Sequence, residues 1–380
     1  MKIIDLLTTS TKSIIAQTIA ILQSGGLILF PTETTYGAGV DATNQLAVDK
    51  LLSYKSRREG KPLSVIVADE TMAGEYVEIN DQAHSLYSQF LPGPVTVVSK
   101  NLGTPDKNGN SIAYGVASEF GTLGIRIPDY DLMLKISKAF GKPITATSAN
   151  ASGEKRPYSI DDILSGLSEK QKKLIDLVLN AGELPKNEPS TVIDATLSAP
   201  VTLRKSNREI ENVIASANRS SKKTDNALTL FSKSEQETKS IAGRLLLKHW
   251  DNITTTGIVI ALDGDLGVGK TIFTKGSAEF LKIEDIIKSP TYTYIEEYNF
   301  TRHQTTGKLF HLDMWKVADK TMFERLEIEK LFGKNHVIII EWFSQVVNYI
   351  QPLLENTVIV KIKIAETGRN AQSRKLEIIE

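Results

Sequence analysis

Gly264-Asp265-Leu266-Gly267-Val268-Gly269-Lys270-Thr271 is the stretch that decides how the second half of this chain folds. It fits the pattern G-x-x-x-x-G-K-[ST] at every defined position. Gly257–Leu262 before it is apolar and reads as a strand, and Thr271–Leu281 after it reads as a helix. Glycines in such a loop let backbone N–H groups turn inward and line an anion nest. The helix N-terminus adds the positive end of a dipole. The unit therefore suits a nucleotide polyphosphate: residues 264–269 wrap it, Lys270 reaches the β- and γ-phosphates, and the Thr271 hydroxyl ligates Mg2+.

A phosphate loop of this kind also requires a carboxylate near the metal, usually closing a neighbouring buried strand. Val337-Ile338-Ile339-Ile340-Glu341-Trp342 supplies one in Glu341, and Phe310-His311-Leu312-Asp313 supplies a second candidate in Asp313. Around these lie a helix at Glu235–Trp250, strands at Tyr292–Tyr298 and Lys308–Asp313, a helix at Thr321–Phe332, and strands at Thr357–Ile364 and Lys375–Ile379. The alternation of strands and helices predicts an α/β domain over residues 227–380.

Upstream, residues 207–226 read NREIENVIASANRSSKKTDN, and the part from Asn218 carries almost nothing to bury. Such composition predicts a linker. Residues 1–206 form a second α/β region. Ile14, Ile15, Ile19 and Leu22 fall at helical spacing within Lys12–Gln23, and Gly25-Gly26 stops that helix before the strand Leu27–Phe30. Further helices are expected at Gln45–Tyr54, Asp81–Phe90 and Leu132–Phe140. Strands are expected at Leu63–Val67, Val95–Ser99, Ser111–Val116, Leu123–Ile127, Ile144–Thr147, Val192–Ala195 and Val201–Leu203. These strands are too many and too short for plain strand–helix alternation, so a twisted mixed sheet is expected.

Composition narrows the function classes. There are no cysteines, which excludes disulfides and cysteine-ligated zinc. Lys and Arg number 45 and Asp and Glu 45. That balance favours nucleotide-sized anions over a long polyanion, which usually calls for a basic excess. The start of the chain lacks the apolar stretch of a secretory signal, and no run reaches the roughly 18 apolar residues of a membrane helix. A cytoplasmic protein with no membrane contact is the expectation.

Four segments resemble the TsaE family of small P-loop ATPases: the phosphate loop, Ser289-Pro290-Thr291-Tyr292-Thr293, His311-Leu312-Asp313-Met314-Trp315, and Ile340-Glu341-Trp342. The resemblance covers residues 227–380. It implies that Thr271 and Glu341 serve the metal. Ser289 and Thr291 would belong to a switch-like loop, and Asp313 and Trp342 would lie near the nucleotide. The chain departs at Trp315-Lys316, where the family usually shows Tyr-Arg.

In the first half, Lys55, Arg57, Arg58 and Lys61 crowd together after a helix, a cluster that suits a polyphosphate or a solvated loop. Thr147-Ser148-Ala149-Asn150 closes an apolar strand with short polar side chains, which suit a nucleotide or a turn cap. Taken with their neighbours, these segments resemble the YrdC/TsaC family. Its motifs appear in order as Pro31–Gly37, Lys55-Ser56-Arg57 with Lys61-Pro62-Leu63, Pro92–Thr96, Gly124–Pro128, Thr145–Gly153 and Pro189–Asp194, closed by Arg204. The family makes threonylcarbamoyl-AMP and pyrophosphate from L-threonine, bicarbonate and ATP. The resemblance implies that Lys55 and Arg57 contact the ATP phosphates as the catalytic pair. Lys61, Thr122, Ser148, Asn150 and Arg204 would hold the nucleotide. Thr34, Arg126 and Ser190 would hold threonine, with Arg126 on its carboxylate. Thr35, Ala38 and Ile66 depart from residues common in that family.

The two resemblances together imply a bifunctional protein of N6-threonylcarbamoyladenosine formation at position 37 of tRNA, with two ATP sites and Mg2+. TsaD- and TsaB-like partners would transfer the group, and tRNA would be met only indirectly. The rival readings are an RNA-binding module fused to a nucleotide-gated switch, and a small-molecule kinase in the second half.

Overall fold

The computed structural model describes residues 1–55, 62–150, 155–198, 200–204, 228–355, 357–367 and 372–380. The chain divides into two compact units, one holding Met1–Thr196 and the other the described residues from Leu228 to Glu380.

The first unit is built on an eleven-stranded mixed sheet. Ten strands run in the order Lys2–Asp5, Ile175–Asn180, Leu27–Phe30, Gly37–Gly39, Ile144–Ser148, Ser64–Ile66, Thr122–Arg126, Val95–Asn101, Thr191–Asp194 and Val201–Arg204; Val77–Glu78 pairs beside Val95–Asn101. Leu27–Phe30 is buried throughout, because its side chains alternate between two cores. Ile28 and Phe30 join Ile14 and Leu22 of helix Thr11–Gln23 and Met133 and Ile136 of helix Asp131–Phe140. Leu27 and Leu29 join Val48, Leu51 and Tyr54 of helix Gln45–Lys55 on the other side. Gly39 lets two strands approach closely: a Cβ there would lie 2.3 Å from the Thr145 carbonyl oxygen.

The helices start and stop where side chains can satisfy their ends. The Asn80 side chain accepts from Ala83 N at the start of Asp81–Phe90, and Gly141, at φ 71°, ends Asp131–Phe140.

The second unit is a seven-stranded sheet ordered Leu228–Ser232, Arg374–Ile379, Val358–Glu366, Ile258–Asp263, His336–Glu341, Thr305–Asp313 and Ile295–Arg302. Ile258–Asp263 pairs in parallel on both sides and is buried along almost its whole length, which accounts for its unbroken apolar run. Register places Leu262 opposite Glu341, and Glu341 opposite Asp313. The carboxylates of both strands thus arrive beside the phosphate loop.

Several expectations need correction. Ser111–Val116 is not a strand. Gly115 takes φ 84°, and the segment's backbone bonds run to Ala42 and Leu63 as isolated links. The strand expected from Tyr292 begins only at Ile295, because Tyr294 sits at φ 64° and donates its N–H to the Pro290 carbonyl. Thr321–Phe332 splits into helix Lys320–Arg325 and a 3-10 turn at Ile328–Leu331, with Glu327 at φ 48° between them. Glu235–Lys248 ends before Trp250, which opens a second short helix. Among the described residues no helix is long and apolar enough to cross a membrane.

Candidate functional site

In the second unit, strand Ile258–Asp263 delivers the chain to the phosphate loop and helix Lys270–Leu281 carries it away. Gly264, Gly267 and Gly269 all take positive φ. Gly269 is additionally tied to its surroundings: a Cβ there would lie 2.3 Å from Arg374 Nε, which donates to the Val268 carbonyl at 2.9 Å. Arg374 thus props the loop from the sheet.

Lys270 Nζ donates to the carbonyls of Gly264 and Asp265, each at 2.9 Å, and lies 3.9 Å from the centre of the Trp342 ring. Burial lowers its pKa, against the opposing pull of Glu341, Asp313, Asp263 and Asp265. Trp342 is held in this position by a left-handed backbone at φ 59° that caps helix Phe343–Ile350, and its ring packs on Trp315 with centroids 4.3 Å apart.

Glu341 Oε1 accepts from the Thr271 hydroxyl at 3.0 Å, bringing together the two residues expected to serve a metal. Asp313 faces the segment expected to act as a switch: its Oδ2 accepts from Thr291 Oγ1 at 2.8 Å and Ser289 Oγ at 3.3 Å. Asp265 and Leu266 lie on the loop, with Leu266 largely exposed. Lys316, at the departure from the usual family residue, stacks over Tyr292. Among the described residues no three His, Cys, Asp or Glu side chains form a cluster that could hold a metal by themselves. Mg2+ bound through substrate phosphates needs only one or two protein oxygens, so Thr271 and Glu341 fit that ion.

In the first unit, Arg126 ends strand Thr122–Arg126 and reaches the Pro31–Gly37 turn. Its Nη2 donates to Thr34 Oγ1 at 2.7 Å and Glu33 Oε1 at 3.0 Å, with Thr32 Oγ1 at 3.4 Å. Arg204 donates to the Ser190 carbonyl from Nε and Nη2, and to Ser190 Oγ at 2.8 Å; that hydroxyl lies 3.1 Å from Thr96 Oγ1. By surface area Arg204 is exposed, yet protein atoms crowd its guanidinium. That desolvation, with the charges of Arg126 and Arg156, lowers its pKa to about 10. Arg126 and Arg204 thus each donate to hydroxyls, while Arg126 also holds Glu33 and Arg156 holds Glu188 at 2.9 Å.

Lys55 is buried at the end of its helix and donates from Nζ to the carbonyls of Ser148 at 2.8 Å and Asn150 at 2.5 Å. Ser148 in turn pairs with Gly37 across the sheet, linking this group to the turn that carries Thr34. Thr122 opens the strand that Arg126 closes, and its hydroxyl lies 2.7 Å from Ser118 Oγ. Arg57 and Lys61 lie outside the described residues.

Sequence reasoning passed over Glu33, Thr96, Arg156, His311 and Arg374. For Glu33 the signal was its place inside the Pro31–Gly37 motif. For His311 it was strand parity, since residues 311 and 313 share one face. Arg374 had no local signal, because its contact with the phosphate loop spans 106 residues of sequence.

Two family models match the chain. One, described as "Telomere recombination" and covering the Sua5, YciO and YrdC proteins, matches residues 20–206. The other, described as "Threonylcarbamoyl adenosine biosynthesis protein TsaE", matches residues 232–376. A putative threonylcarbamoyl-AMP synthase of Methanocaldococcus jannaschii is 35% identical over 173 residues, covering 45% of this chain and 75% of its own length. A threonylcarbamoyl-AMP synthase of Vibrio campbellii is 30% identical over 189 residues, covering 48% of this chain and 94% of its own. The chain spans 55% of a Pyrococcus abyssi threonylcarbamoyl-AMP synthase, at 32% identity over 51% of this chain. The solved structure of P. abyssi Sua5 complexed with L-threonine shares the fold at a TM-score of 0.50 and 20% identity, over 95% of this chain and 99% of that one.

Proposed function

This chain belongs to the Sua5/YciO/YrdC family and carries a TsaE domain fused behind it, and from that membership we propose that it is a bifunctional protein of tRNA threonylcarbamoyladenosine formation. The first unit, residues 1–206, makes threonylcarbamoyl-AMP from L-threonine, bicarbonate and ATP. The second, residues 227–380, hydrolyses ATP to drive the complex that transfers the group to adenosine. TsaD- and TsaB-like subunits would be its partners. Residues 207–226 serve as the linker.

The observation that supports the synthase reading most is the guanidinium pair Arg126 and Arg204, each bonded to a hydroxyl-bearing turn and close enough for one charge to weaken the other's hold on its proton. The amine of threonine must attack bicarbonate with loss of water, and the carbamate formed must attack the α-phosphorus of ATP, expelling pyrophosphate. Neither step requires a covalent enzyme nucleophile. What they require is alignment of three substrates and compensation of negative charge. Arg126, backed by Thr34, would hold the threonine carboxylate in a forked bond; Ser190 would orient the substrate beside it. Lys55 would exchange its Ser148 and Asn150 carbonyls for phosphate oxygens, and Arg57, Lys61 and Thr122 would hold the nucleotide with it.

In the second unit, Lys270 would leave the Gly264 and Asp265 carbonyls for the β- and γ-phosphates. Mg2+ would neutralise phosphate charge there, held on the protein side by Thr271 and Glu341. Asp313 would hold the Ser289–Thr291 segment in place beside it.

The decisive experiment incubates the full chain with L-threonine, labelled bicarbonate, Mg2+ and ATP. Labelled threonylcarbamoyl-AMP with matching pyrophosphate is expected. Pyrophosphate-free turnover, or none, in a folded preparation would overturn the reading.

A further inference from the structure

The motif Pro31–Gly37 holds a carboxylate that the reaction outlined above leaves unused. Glu33 is mostly buried, at 16% side-chain exposure, beside Arg126 at 12%. Its position is fixed from behind: the Asn187 side chain donates to the Glu33 backbone carbonyl at 2.8 Å, and Thr32 and Thr34 on either side bond to one another. Glu33 Oε1 takes its bond from Arg126 Nη2. Glu33 Oε2 and Arg126 Nε are both buried and have no hydrogen-bond partner.

One ion pair thus leaves an acceptor and a donor unsatisfied within a single contact. A buried carboxylate oxygen without a donor costs free energy, as does a buried guanidinium N–H without an acceptor. A ligand that satisfies both must present a cation and an anion a short distance apart. An α-amino acid does so with its ammonium and carboxylate. A simple carboxylic acid would satisfy the arginine and leave the glutamate facing like charge.

We propose that Glu33 is the residue of this site that recognises the substrate's α-amine, taking the ammonium on Oε2 while Arg126 takes the carboxylate. The proposal rests on the reading that threonine binds in the first unit. It gives the site its selectivity for amino acids over hydroxy acids of the same shape. It also fixes in place the nitrogen that attacks bicarbonate once the ammonium has given up a proton. Glu33 is then a substrate-binding residue rather than a structural partner of Arg126.

The test compares L-threonine with 2,3-dihydroxybutanoate, in which a hydroxyl replaces the amine, by calorimetry on the full chain and on Glu33→Gln. The substitution keeps an oxygen for Arg126 and removes the charge that would meet the ammonium. Threonine affinity is expected to fall by about 10- to 100-fold in Glu33→Gln, as suits a lost charge-assisted bond. Affinity for the dihydroxy acid is expected to hold or rise, so that the ratio between the ligands collapses. Equal weakening of both ligands would show that Glu33 acts only through Arg126, and would overturn the proposal. Unchanged threonine affinity would overturn it as well. Failure of the wild-type chain to bind threonine at all would instead sink the synthase reading. An unaltered thermal transition establishes that the variant is folded.

Discussion

His311 Nε2 lies 2.8 Å from Glu341 Oε1, with the imidazole wholly shut away from solvent and the carboxylate nearly so. The imidazole's other nitrogen lies 3.1 Å from the Lys288 carbonyl, immediately before Ser289. His311 thus spans from the backbone that leads into the Ser289–Thr291 segment to the carboxylate beside Thr271. The arrangement follows from register. Parallel pairing sets His311 against Ile339, so the side chain reaches diagonally to Glu341 two residues on.

Replacing His311 by Ala should therefore disorder Glu341 without touching the phosphate loop. ATP hydrolysis by the chain is expected to fall by about 10- to 100-fold, the usual effect of removing a residue that orients a metal ligand. ATP binding measured without Mg2+ should be little changed, and threonylcarbamoyl-AMP synthesis should continue. Hydrolysis at the wild-type rate, with the same Mg2+ dependence, would remove His311 from the mechanism.

The Lys270–Trp342 contact offers an optical readout. Lys270 cannot reach a phosphate while it holds the Gly264 and Asp265 carbonyls beneath the Trp342 ring. Nucleotide binding should withdraw the ammonium from that ring and change tryptophan emission. In a Trp315→Phe background, which removes the ring packed 4.3 Å from that of Trp342, Trp342→Phe should remove most of the change, while Trp250, fully buried against Phe280 and Phe300, contributes little. An equal response in Trp342→Phe would mean that the lysine keeps its place when nucleotide binds.

The phosphate loop, its flanking strand and helix, and Glu341 were legible because they are local: a glycine pattern between an apolar run and a helix. Lys2–Asp5 and Ile175–Asn180 were passed over. Lys2–Asp5 is short and mostly exposed, and the burial of Ile175–Asn180 depends on partners far away in sequence. Helix Phe343–Ile350 escaped because it starts directly from a strand end through the left-handed Trp342, with no capping side chain to announce it. The sites divide in the same way. Arg126 and Arg204 could be named from motifs, but their common neighbourhood arises from strands that meet only in the folded sheet. The carbonyl partners of Lys55 and Lys270 also belong to the fold.

Asp106 gives the first unit an acid-sensitive anchor. Its Oδ2 accepts from the Tyr76 hydroxyl at 2.6 Å, and its Oδ1 from the backbone N–H groups of Asn108 and Asn110, each at 2.8 Å. Burial raises its pKa, but these bonds outweigh burial and bring it down to about 2. A carboxylate depressed in the folded state stabilises that state above its unfolded pKa near 3.8, and the contribution is lost as pH falls through about 2. Asp106→Asn should therefore lower the first unit's thermal transition at neutral pH. The gap from wild type in the first unit's thermal transition should close as the solution is acidified from about pH 4 towards pH 2. A gap that stays constant over that window would show that the side chain's shape, not its charge, sets the cost.

The two nucleotide sites should fail separately. Lys270 donates to carbonyls of its own loop, and Arg126 donates to Glu33 and Thr34. Lys270→Ala should abolish phosphate release while threonylcarbamoyl-AMP and pyrophosphate still form. Arg126→Ala should abolish pyrophosphate release and leave phosphate release intact, and Arg57→Ala should do the same if the basic cluster serves the triphosphate. Measuring pyrophosphate and phosphate in one reaction separates cleavage at the α-phosphorus from cleavage at the γ. A folded Lys270→Ala chain that had lost synthesis would mean that nucleotide in the second unit governs the first, and the assignment of independent sites would have to be abandoned.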